Sequence, residues 1–225
     1  RYMQQGKPSR YGDKHFFYHW QWIDAGKPSA DYFIVDEIQD FSKEEVKEFI
    51  SAAKKCFFFF GDTAQSIYEG IKHPLTIREL SDMTGVAISY LNSNYRLPKP
   101  VAKITQNYVA VDANPYAEAI YQSKETELPT FVQFEDETSQ IDAIIDIISK
   151  KKMKSVGILV PNNEKILSIM KSFDERNFVC EFKYNAGYND KRNRDTLDFT
   201  TDKPKLMTYH SAKGLQFETV ILPFY

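Results

Sequence analysis

Short apolar runs alternate with amphipathic segments along most of the chain. The runs Tyr32–Val35, Cys56–Phe60 and Val156–Val160 are rich in aromatic or β-branched side chains. Runs of this length and composition are typical of buried strands in a parallel sheet. Further strands are predicted at residues 86–91, 130–134, 178–182, 205–209 and 218–222. Because the strands alternate with helical patterns, the sequence predicts an α/β fold with parallel sheets.

The predicted helices come from apolar positions that recur with helical spacing. Ser42 and Glu45 form a capping-box pattern at the start of an amphipathic stretch, which Lys54 and Lys55 are predicted to close. The same reasoning predicts helices at residues 15–23, 75–83, 101–111, 141–148 and 163–173, the last capped by Asn162 or Asn163. The polar segment 184–204 has no periodicity and is predicted to be a long loop.

Composition narrows the possible functions. The chain has 225 residues, of which 42% are hydrophobic and 15% aromatic, enough for one large or two small domains. Its net charge of −2 excludes a polybasic nucleic-acid binder, so any nucleic-acid contact must come from a local groove. Cys56 and Cys180 have neither metal-site nor disulfide spacing, and Cys56 is predicted to be a core residue. His15 and His19 have a spacing that can bind zinc, but without an accompanying acid or cysteine we interpret them as surface or packing residues.

The ends of the chain and its apolar stretches bear on its location. No apolar stretch is long enough to cross a membrane, and the N-terminal residues lack the apolar region of a signal peptide. We therefore expect a cytoplasmic protein that contacts no membrane. Because the chain begins with Arg1 and ends in the apolar run Val220–Tyr225, we also expect it to be a fragment of a longer protein.

Polar side chains with catalytic potential follow three of the predicted strands. Asp36 and Glu37 come directly after the first strand, Gln65 follows the second, and Arg96 follows the third. Two acids at a strand end suit Mg²⁺ and phosphate chemistry, because one can hold the metal through water and the other can deprotonate an attacking water. A glutamine can contact a terminal phosphate or a water, and an arginine can donate to a transferring phosphate. The alternatives are a solvated acidic turn, a Gly-Asp turn before an ordinary helix, and a surface arginine.

Four segments stand in a fixed order along the chain: IVDEIQD, GDTAQSIY, NYR and MTYHSAKGLQFETVIL. Together they resemble motifs II, III, IV and V of superfamily 1 DNA helicases of the UvrD/Rep/PcrA type, from Asp31 to Leu222. The resemblance implies a P-loop NTPase helicase fold: two RecA-like lobes with parallel β-sheets flanked by helices, both incomplete, with ATP between them. Residues 1–92 would be the C-terminal part of lobe 1, with motifs II and III, and residues 93–225 would be lobe 2, with motifs IV and V.

The resemblance also implies a role for each matching residue. In the catalytic set, Asp36 matches the Mg²⁺ ligand, Glu37 the base that activates water, Gln65 the γ-phosphate sensor, and Arg96 the arginine that stabilises transition-state charge. The nucleotide-binding set would consist of Tyr95, which stacks on the base, with Lys213, Gly214 and Gln216. The DNA-binding set would consist of Ser66, Tyr68, Thr208 and His210.

The chain departs from the family pattern in four places. No G-x-x-x-x-G-K-[S/T] occurs in it, so the phosphate cradle and the usual hydroxyl ligand of Mg²⁺ are missing, and motif VI with its second arginine is also absent. Glu69–Ile71 stands where relatives often carry a tryptophan that stacks on DNA bases. Gln216 stands where they usually carry a glutamate near the nucleotide sugar.

The resemblance predicts part of an ATP-dependent helicase that acts as a monomer. The parent enzyme would use ATP and Mg²⁺ to move along single-stranded DNA and to unwind duplexes at single/double-strand junctions, and the fragment alone would be inactive. Two alternatives remain open: a degenerate module that binds DNA or a partner protein without ATPase activity, and the motor part of a helicase–nuclease.

Overall fold

The computed structural model describes residues 2–3, 16–17, 26–67, 75–105, 119–187 and 190–224. The chain divides into two compact units, Arg1–Pro129 and Thr130–Tyr225, called unit 1 and unit 2 below. Both units contain parallel strands with helices packed against them, so the predicted α/β class with parallel sheets flanked by helices is confirmed. The division into lobes at residues 92 and 93 stays a prediction.

Among its described residues, unit 1 contains three pairs of short strands. Strands β1 (Tyr2–Met3) and β2 (Phe16–Phe17) are antiparallel, whereas β3 (Ala30–Val35) pairs in parallel with β4 (Ala53–Phe59), and β5 (Ser93–Asn94) with β6 (Ile120–Tyr121). Its helices are α1 (Lys43–Ala52), α2 (Ile77–Thr84) and α3 (Lys99–Thr105), and two 3₁₀ turns lie at Ile38–Asp40 and Thr63–Gln65.

Helix α1 begins where the sequence predicts and ends earlier. The Ser42 hydroxyl accepts a hydrogen bond from the Glu45 N–H at 3.3 Å, and the Glu45 carboxylate accepts one from the Ser42 N–H at 2.8 Å, which confirms the capping box. The helix ends at Ala52, and the chain passes at once into β4. Lys54 and Lys55, predicted to close the helix, therefore lie in β4, where the backbone groups pair with β3.

Within the described ranges, one face of the β3–β4 sheet is packed against a helix and the other is exposed. Phe33 stacks on Phe49 of α1 at a ring-centroid distance of 6.1 Å, and Val35 is buried beside them. On the other face Ile34 is 70% exposed, and Cys56 is also exposed. The prediction of fully buried strands, and of Cys56 as a core residue, is therefore wrong. In the part of the chain that the structure describes this sheet has only two strands, so alternate side chains have no second layer to pack against.

Unit 2 contains a five-stranded sheet in the order β11-β7-β10-β8-β9. Its strands are β7 (Val156–Val160), β8 (Glu181–Tyr184), β9 (Arg194–Asp195), β10 (Lys205–Thr208) and β11 (Thr219–Ile221), and all pairings are parallel except β8 with β9. Its helices are α4 (Glu137–Lys151), α5 (Asn163–Glu175) and α6 (Tyr209–Ala212).

The core of unit 2 lies between this sheet and helices α4 and α5. Ile158 and Leu206 of the sheet pack with Ile141 of α4 and Phe173 of α5, and all four are at most 1% exposed. Helix α5 begins as predicted, because the Asn162 side chain accepts a hydrogen bond from the Lys165 N–H at 3.0 Å.

Several predicted elements differ in the structure. Residues 86–91 and 130–134 form no strand, and their large side chains are mostly exposed, for example Leu91 at 92% and Phe131 at 67%. The strand predicted at 178–182 begins at Glu181, and the predicted loop 184–204 contains β9. An apolar run forms a strand only if another strand lies beside it, and the local sequence pattern does not show whether such a strand is present.

Two predicted helices lie partly outside the described residues. Within residues 15–23 only Phe16–Phe17 is described, and it is a strand; within 101–111 the helix is described to Thr105. His15, His19 and Tyr68 lie outside the described residues. None of the helices in the described ranges combines the length and the apolar character needed to cross a membrane.

Candidate functional site

The two turns that carry the predicted acidic and amide groups lie side by side at one edge of the β3–β4 sheet. Because β3 and β4 are parallel and Val35 pairs with Phe59, both strands end at this edge. Two backbone hydrogen bonds continue the pairing beyond the strands: the Phe60 N–H donates to the Val35 carbonyl and the Ile38 N–H to the Phe60 carbonyl, each at 2.9 Å. The turn at residues 36–40 is therefore fixed to the turn at residues 61–65.

Glu37 adopts a backbone conformation that few side-chain-bearing residues take. Its φ of 54° and ψ of 44° lie in the left-handed region, which costs about 1–3 kcal/mol at such a residue and is often found at functional sites. The Asp36 carboxylate accepts a hydrogen bond from the Glu37 N–H at 2.9 Å. The turn buries Ile38 beneath the sheet edge and leaves Asp36 exposed and Glu37 half-buried. Both carboxylates are thus placed at the rim of the edge, within reach of a ligand.

A buried glutamine connects the two turns. Gln39 is 1% exposed, its amide nitrogen donates to the Glu37 carboxylate, and its amide oxygen accepts from the Asp62 N–H at 3.0 Å. The Asp62 carboxylate in turn accepts from the Gln65 amide nitrogen at 2.9 Å and from the Ala64 N–H at 3.0 Å. A continuous chain of hydrogen bonds therefore joins Glu37 to Gln65, as expected for two turns that serve one site.

Gly61 permits this close approach. A Cβ atom at this position would overlap the Gln39 amide oxygen and would lie 2.7 Å from the Ile38 Cγ2 atom. Real Cβ contacts essentially never come so close, so any larger residue would push the two turns apart. The glycine of the second motif is thus explained by packing against Gln39.

Arg96 and Tyr95 lie in a separate turn after β5. The Asn94 side chain accepts hydrogen bonds from the Arg96 N–H at 3.1 Å and the Leu97 N–H at 2.8 Å, which fixes the turn. Tyr95 is 75% exposed, and Arg96 is exposed with its guanidinium unpaired among the described residues. Both side chains are available to a ligand, but no hydrogen bond in the described ranges links Arg96 to Glu37 or Gln65.

Ser66 follows directly on Gln65, and its N–H donates to the Thr63 carbonyl at 3.2 Å. It is half-buried in the same turn as Gln65. The structure therefore brings together Asp36, Glu37, Gln65 and Ser66 from the predicted sets, whereas Tyr68 lies outside the described residues.

In unit 2, the residues of the last motif follow strand β10. Thr208 is 7% exposed and caps α6, with its hydroxyl accepting from the Ser211 N–H at 3.2 Å. His210 is exposed, Lys213 is half-buried, and Gly214 has a φ of 79° that favours glycine. The buried hydroxyl of Thr208 thus serves the turn, and His210 is an exposed residue of the same segment.

Gln216 lies at the opposite end of the unit 2 sheet. It lines a cavity of about 130 Å³ together with Ser155 and Lys205, at the starts of β7 and β10, and Thr201 of the loop before β10. The chain must return to this end because β11 runs parallel to β7. The structure therefore separates Gln216 from Thr208, and its predicted contact with a nucleotide sugar stays a prediction.

The acidic residues of unit 1 fit one mode of metal binding. In the described ranges, no group of three or more histidine, cysteine or acidic side chains is placed to hold a metal ion. Mg²⁺ in nucleotide enzymes is usually held by one or two carboxylates, with phosphate oxygens and water as the other ligands. Exposed Asp36 beside Glu37 matches that donor set, in which the substrate completes the site.

Sequence reasoning assigned no role to Gln39, although it lies in the first motif. The signal was present: a polar residue two positions after Glu37, next to an isoleucine that the turn buries. An amphipathic pattern does not single out such a residue, because its burial depends on a glycine 22 positions away, at Gly61.

Residues 6–144 match the family model described as the viral superfamily 1 RNA helicase core domain. The matched range includes Asp36, Glu37, Gln65 and Arg96, and it ends before the segment that contains Thr208 and Gly214. No curated protein matches the chain. Because the matched range covers more than half of the 225 residues and contains the connected turns of unit 1, the chain belongs to the family of viral superfamily 1 RNA helicase cores.

Proposed function

We propose that the chain is part of a motor that hydrolyses ATP with Mg²⁺ while it moves along single-stranded DNA and separates strands at single/double-strand junctions. Membership of the helicase family supports the general class, an NTP-hydrolysing helicase. The observation that carries the proposal is the hydrogen-bonded link between Glu37 and Gln65 at one sheet edge. Phosphoryl transfer depends on alignment and charge neutralisation, and that link aligns two of the groups required.

Each residue of the edge has a place in this reaction. Asp36 would hold Mg²⁺, which neutralises charge on the phosphates when bound. Glu37 would accept the proton of the water that attacks the γ-phosphorus, and Gln65 would orient that water or the γ-phosphate. Arg96, whose guanidinium is unpaired in the described part of the chain, would donate to the phosphate oxygens as the bond to ADP breaks.

The binding surfaces are assigned on the motif resemblance. Tyr95 would stack on the base, Lys213, Gly214 and Gln216 would contact the nucleotide, and the DNA track would include Ser66, Tyr68, Thr208 and His210. The exposure of Tyr95 and His210 supports the assignment, because a stacking or backbone contact needs an accessible side chain.

The choice of nucleic acid is a separate question. The proposal of DNA rests on the resemblance of the four motifs to those of superfamily 1 DNA helicases. The matched family is described as an RNA helicase core, which makes RNA the second candidate. Phosphate release by the full-length gene product should be measured with poly(dT) and with poly(U) at matched nucleotide concentration. Stronger stimulation by poly(dT) supports the DNA proposal, and stronger stimulation by poly(U) overturns it in favour of RNA.

The role of Glu37 is tested in the same assay. Loss of a general base typically lowers the rate by about 10²–10⁴-fold, and we expect Glu37→Gln to lower kcat within that range. Glu44→Gln removes the same charge from an exposed position of α1 and should leave kcat unchanged. Near-normal turnover by Glu37→Gln would overturn the assignment. Nucleic-acid binding without turnover by the wild-type protein would instead support the degenerate module.

A further inference from the structure

We propose that Gln39 is a positioning residue, which holds the carboxylate of Glu37 in register with the turn that carries Gln65. The inference deepens the proposed function and rests on it, because it concerns the same hydrolysis site. Gln39 would touch neither nucleotide nor water. It would act through the two groups that do.

The bonding of Gln39 supports this role, because only one orientation of its amide satisfies both partners. The nitrogen faces a carboxylate, which can only accept, and the oxygen faces the Asp62 N–H, which can only donate. Rotating the amide by half a turn would place its oxygen against the Glu37 carboxylate and its nitrogen against the Asp62 N–H, and neither pair can form a hydrogen bond. The side chain therefore fixes the direction of the Glu37 carboxylate relative to the backbone of the neighbouring turn.

The burial of Gln39 makes the link rigid. At 1% exposure the amide has no access to bulk water, so that breaking either bond leaves a buried polar group without a partner. Gly61 packs against the amide oxygen from the other turn and blocks movement in that direction. A side chain held in this way transmits a displacement of one turn to the other.

The second half of the link lies in Asp62. Its backbone N–H is bonded to Gln39, while its carboxylate accepts from the Gln65 amide. Moving Asp62 therefore moves the predicted phosphate sensor, and moving Gln39 moves both the sensor and the predicted base. The kinetic consequence is a coordinated loss of alignment in the transition state, with little change in the binding of ATP.

The competing interpretation is that Gln39 only stabilises the fold. The two interpretations differ in kinetics, so the full-length gene product should be assayed as Gln39→Leu, which keeps approximate volume and removes both bonds. We expect kcat to fall by about 10–100-fold, the range typical of residues that orient a catalytic group, while KM for ATP changes by less than about threefold. Val46→Ala, a buried change in the same core, is the matched control for lost stability and should leave kcat within about twofold.

A double-mutant cycle tests whether Gln39 acts through the second turn. If it does, Gln65→Ala should lower kcat by a smaller factor in the Gln39→Leu background than in the wild type, because the link is already broken. The inference would be overturned if the double variant lost kcat by the product of the two single-variant factors. A normal kcat for Gln39→Leu would overturn it as well. Should Gln39→Leu fail to fold, Gln39→Asn is assayed instead, because an amide one methylene shorter cannot span both partners and the same outcomes apply.

Hydrogen exchange supplies a readout that does not depend on turnover. In Gln39→Leu the Asp62 amide should exchange at least about tenfold faster, while the Phe60 amide, bonded to Val35, keeps its rate. An unchanged Asp62 rate would overturn the inference. Wild-type protein without ATP turnover under any nucleic-acid condition would overturn the proposed function and this inference with it, whereas normal turnover by Gln39→Leu beside an active wild type would overturn this inference alone.

Discussion

The sheets of the two units are both built from parallel strands, but different forces hold them. In unit 2 the side chains of Val156, Ile158 and Val160 are fully buried, and helices α4 and α5 pack against the sheet. In unit 1 the β3–β4 sheet buries one face against α1, and Tyr32 and Ile34 on the other face are 60% and 70% exposed. Dispersion and apolar burial therefore stabilise the sheet of unit 2 more than the β3–β4 sheet of unit 1.

The difference explains how the candidate site keeps its shape. As far as the structure describes unit 1, this sheet has two strands and one exposed face, so packing gives its carboxyl edge little support. The edge is instead fixed by polar contacts: the left-handed turn at Glu37, the buried amide of Gln39 and the close approach of Gly61. Hydrogen bonds are directional, so they can fix the orientation of a polar side chain. Apolar packing fills space but does not set such an orientation.

The largest difference between the two units should be in the rate at which their cysteines react with a thiol reagent. Cys180 packs against the core of unit 2, and burial raises the pKa of its thiol to about 12, so that the reactive thiolate is scarce at pH 8. Cys56 lies on the open face of β4. We expect a maleimide to modify Cys56 at least about 10³-fold faster than Cys180 at pH 8.

Mass spectrometry of the 225-residue chain after timed labelling would measure both rates. Cys56→Ser is the control, since it should leave only the slow reaction. Protection of Cys56 to the level of Cys180 would show that the open face of β4 is covered, and the contrast between the two sheets would then fail.

The next largest effect concerns a buried ion pair in unit 2. Lys205 and Glu181 are 3% and 7% exposed, and the ammonium lies 3.1 Å from the carboxylate. Lys205→Met removes the buried cation and leaves the carboxylate only the more exposed Lys203, 3.8 Å away, as an ionic partner. Breaking a buried pair typically costs about 3–5 kcal/mol, and because Lys203 remains we expect a loss near the lower end of that range. Opening free energies from hydrogen exchange of the β7 amides, which pair with β10, would measure the loss within unit 2.

The same pair gives unit 2 a dependence on pH. Burial by itself would raise the pKa of Glu181, but hydrogen bonds from Thr201 and the Asp198 N–H, together with Lys205, outweigh it and lower the pKa. A lowered pKa in the folded state stabilises the fold fully above the unfolded pKa of about 4.3, and this stabilisation is lost as the pH falls through the folded value. Glu181→Gln should lose less stability than wild type between about pH 4.5 and 3, and equal losses would contradict the assignment.

The same contrast between the units shows what sequence could and could not predict. In unit 2 the runs 156–160 and 205–209 gave strands at nearly the expected bounds, because strands buried in a parallel sheet are mostly apolar, with Lys205 and Thr208 as polar exceptions here. In unit 1 the apolar run at 56–60 gave the strand correctly, but it could not reveal that Cys56 faces outward. Burial depends on the layers around a strand, and these are set by distant parts of the chain.

The site shows the same division. Carboxylates directly after a strand predict a ligand edge, and the structure places Asp36, Glu37 and Gln65 along one edge. The bridge through Gln39 could not be predicted, because it needs the register of β3 against β4 and a glycine opposite. The opposite placement of Gln216 and Thr208 was missed for a similar reason: the direction of β11 is a property of the sheet and not of the segment 214–218.

A matched pair of isoleucines gives the finest comparison of the two sheets. Ile158 lies within β7 and is fully buried, and Ile34 lies within β3 and is 70% exposed. Ile158→Ala removes buried methyl groups and leaves a cavity, which typically costs about 2–5 kcal/mol, whereas Ile34→Ala should stay within about 0.5 kcal/mol of wild type. Hydrogen exchange of the amides in each strand reports the opening free energy of each sheet separately, so both variants can be read in one experiment.

The pair tests the comparison in both directions because the side chains are identical and both strands are parallel. If the two substitutions cost the same, apolar packing supports β3 as firmly as β7, and the polar link through Gln39 would not be needed to fix the edge. If Ile34→Ala is neutral and still leaves the Asp62 amide protected, the edge keeps its geometry without that face. The shape of the candidate site would then depend on the bonds of Gln39 and on the packing of α1 beneath β3.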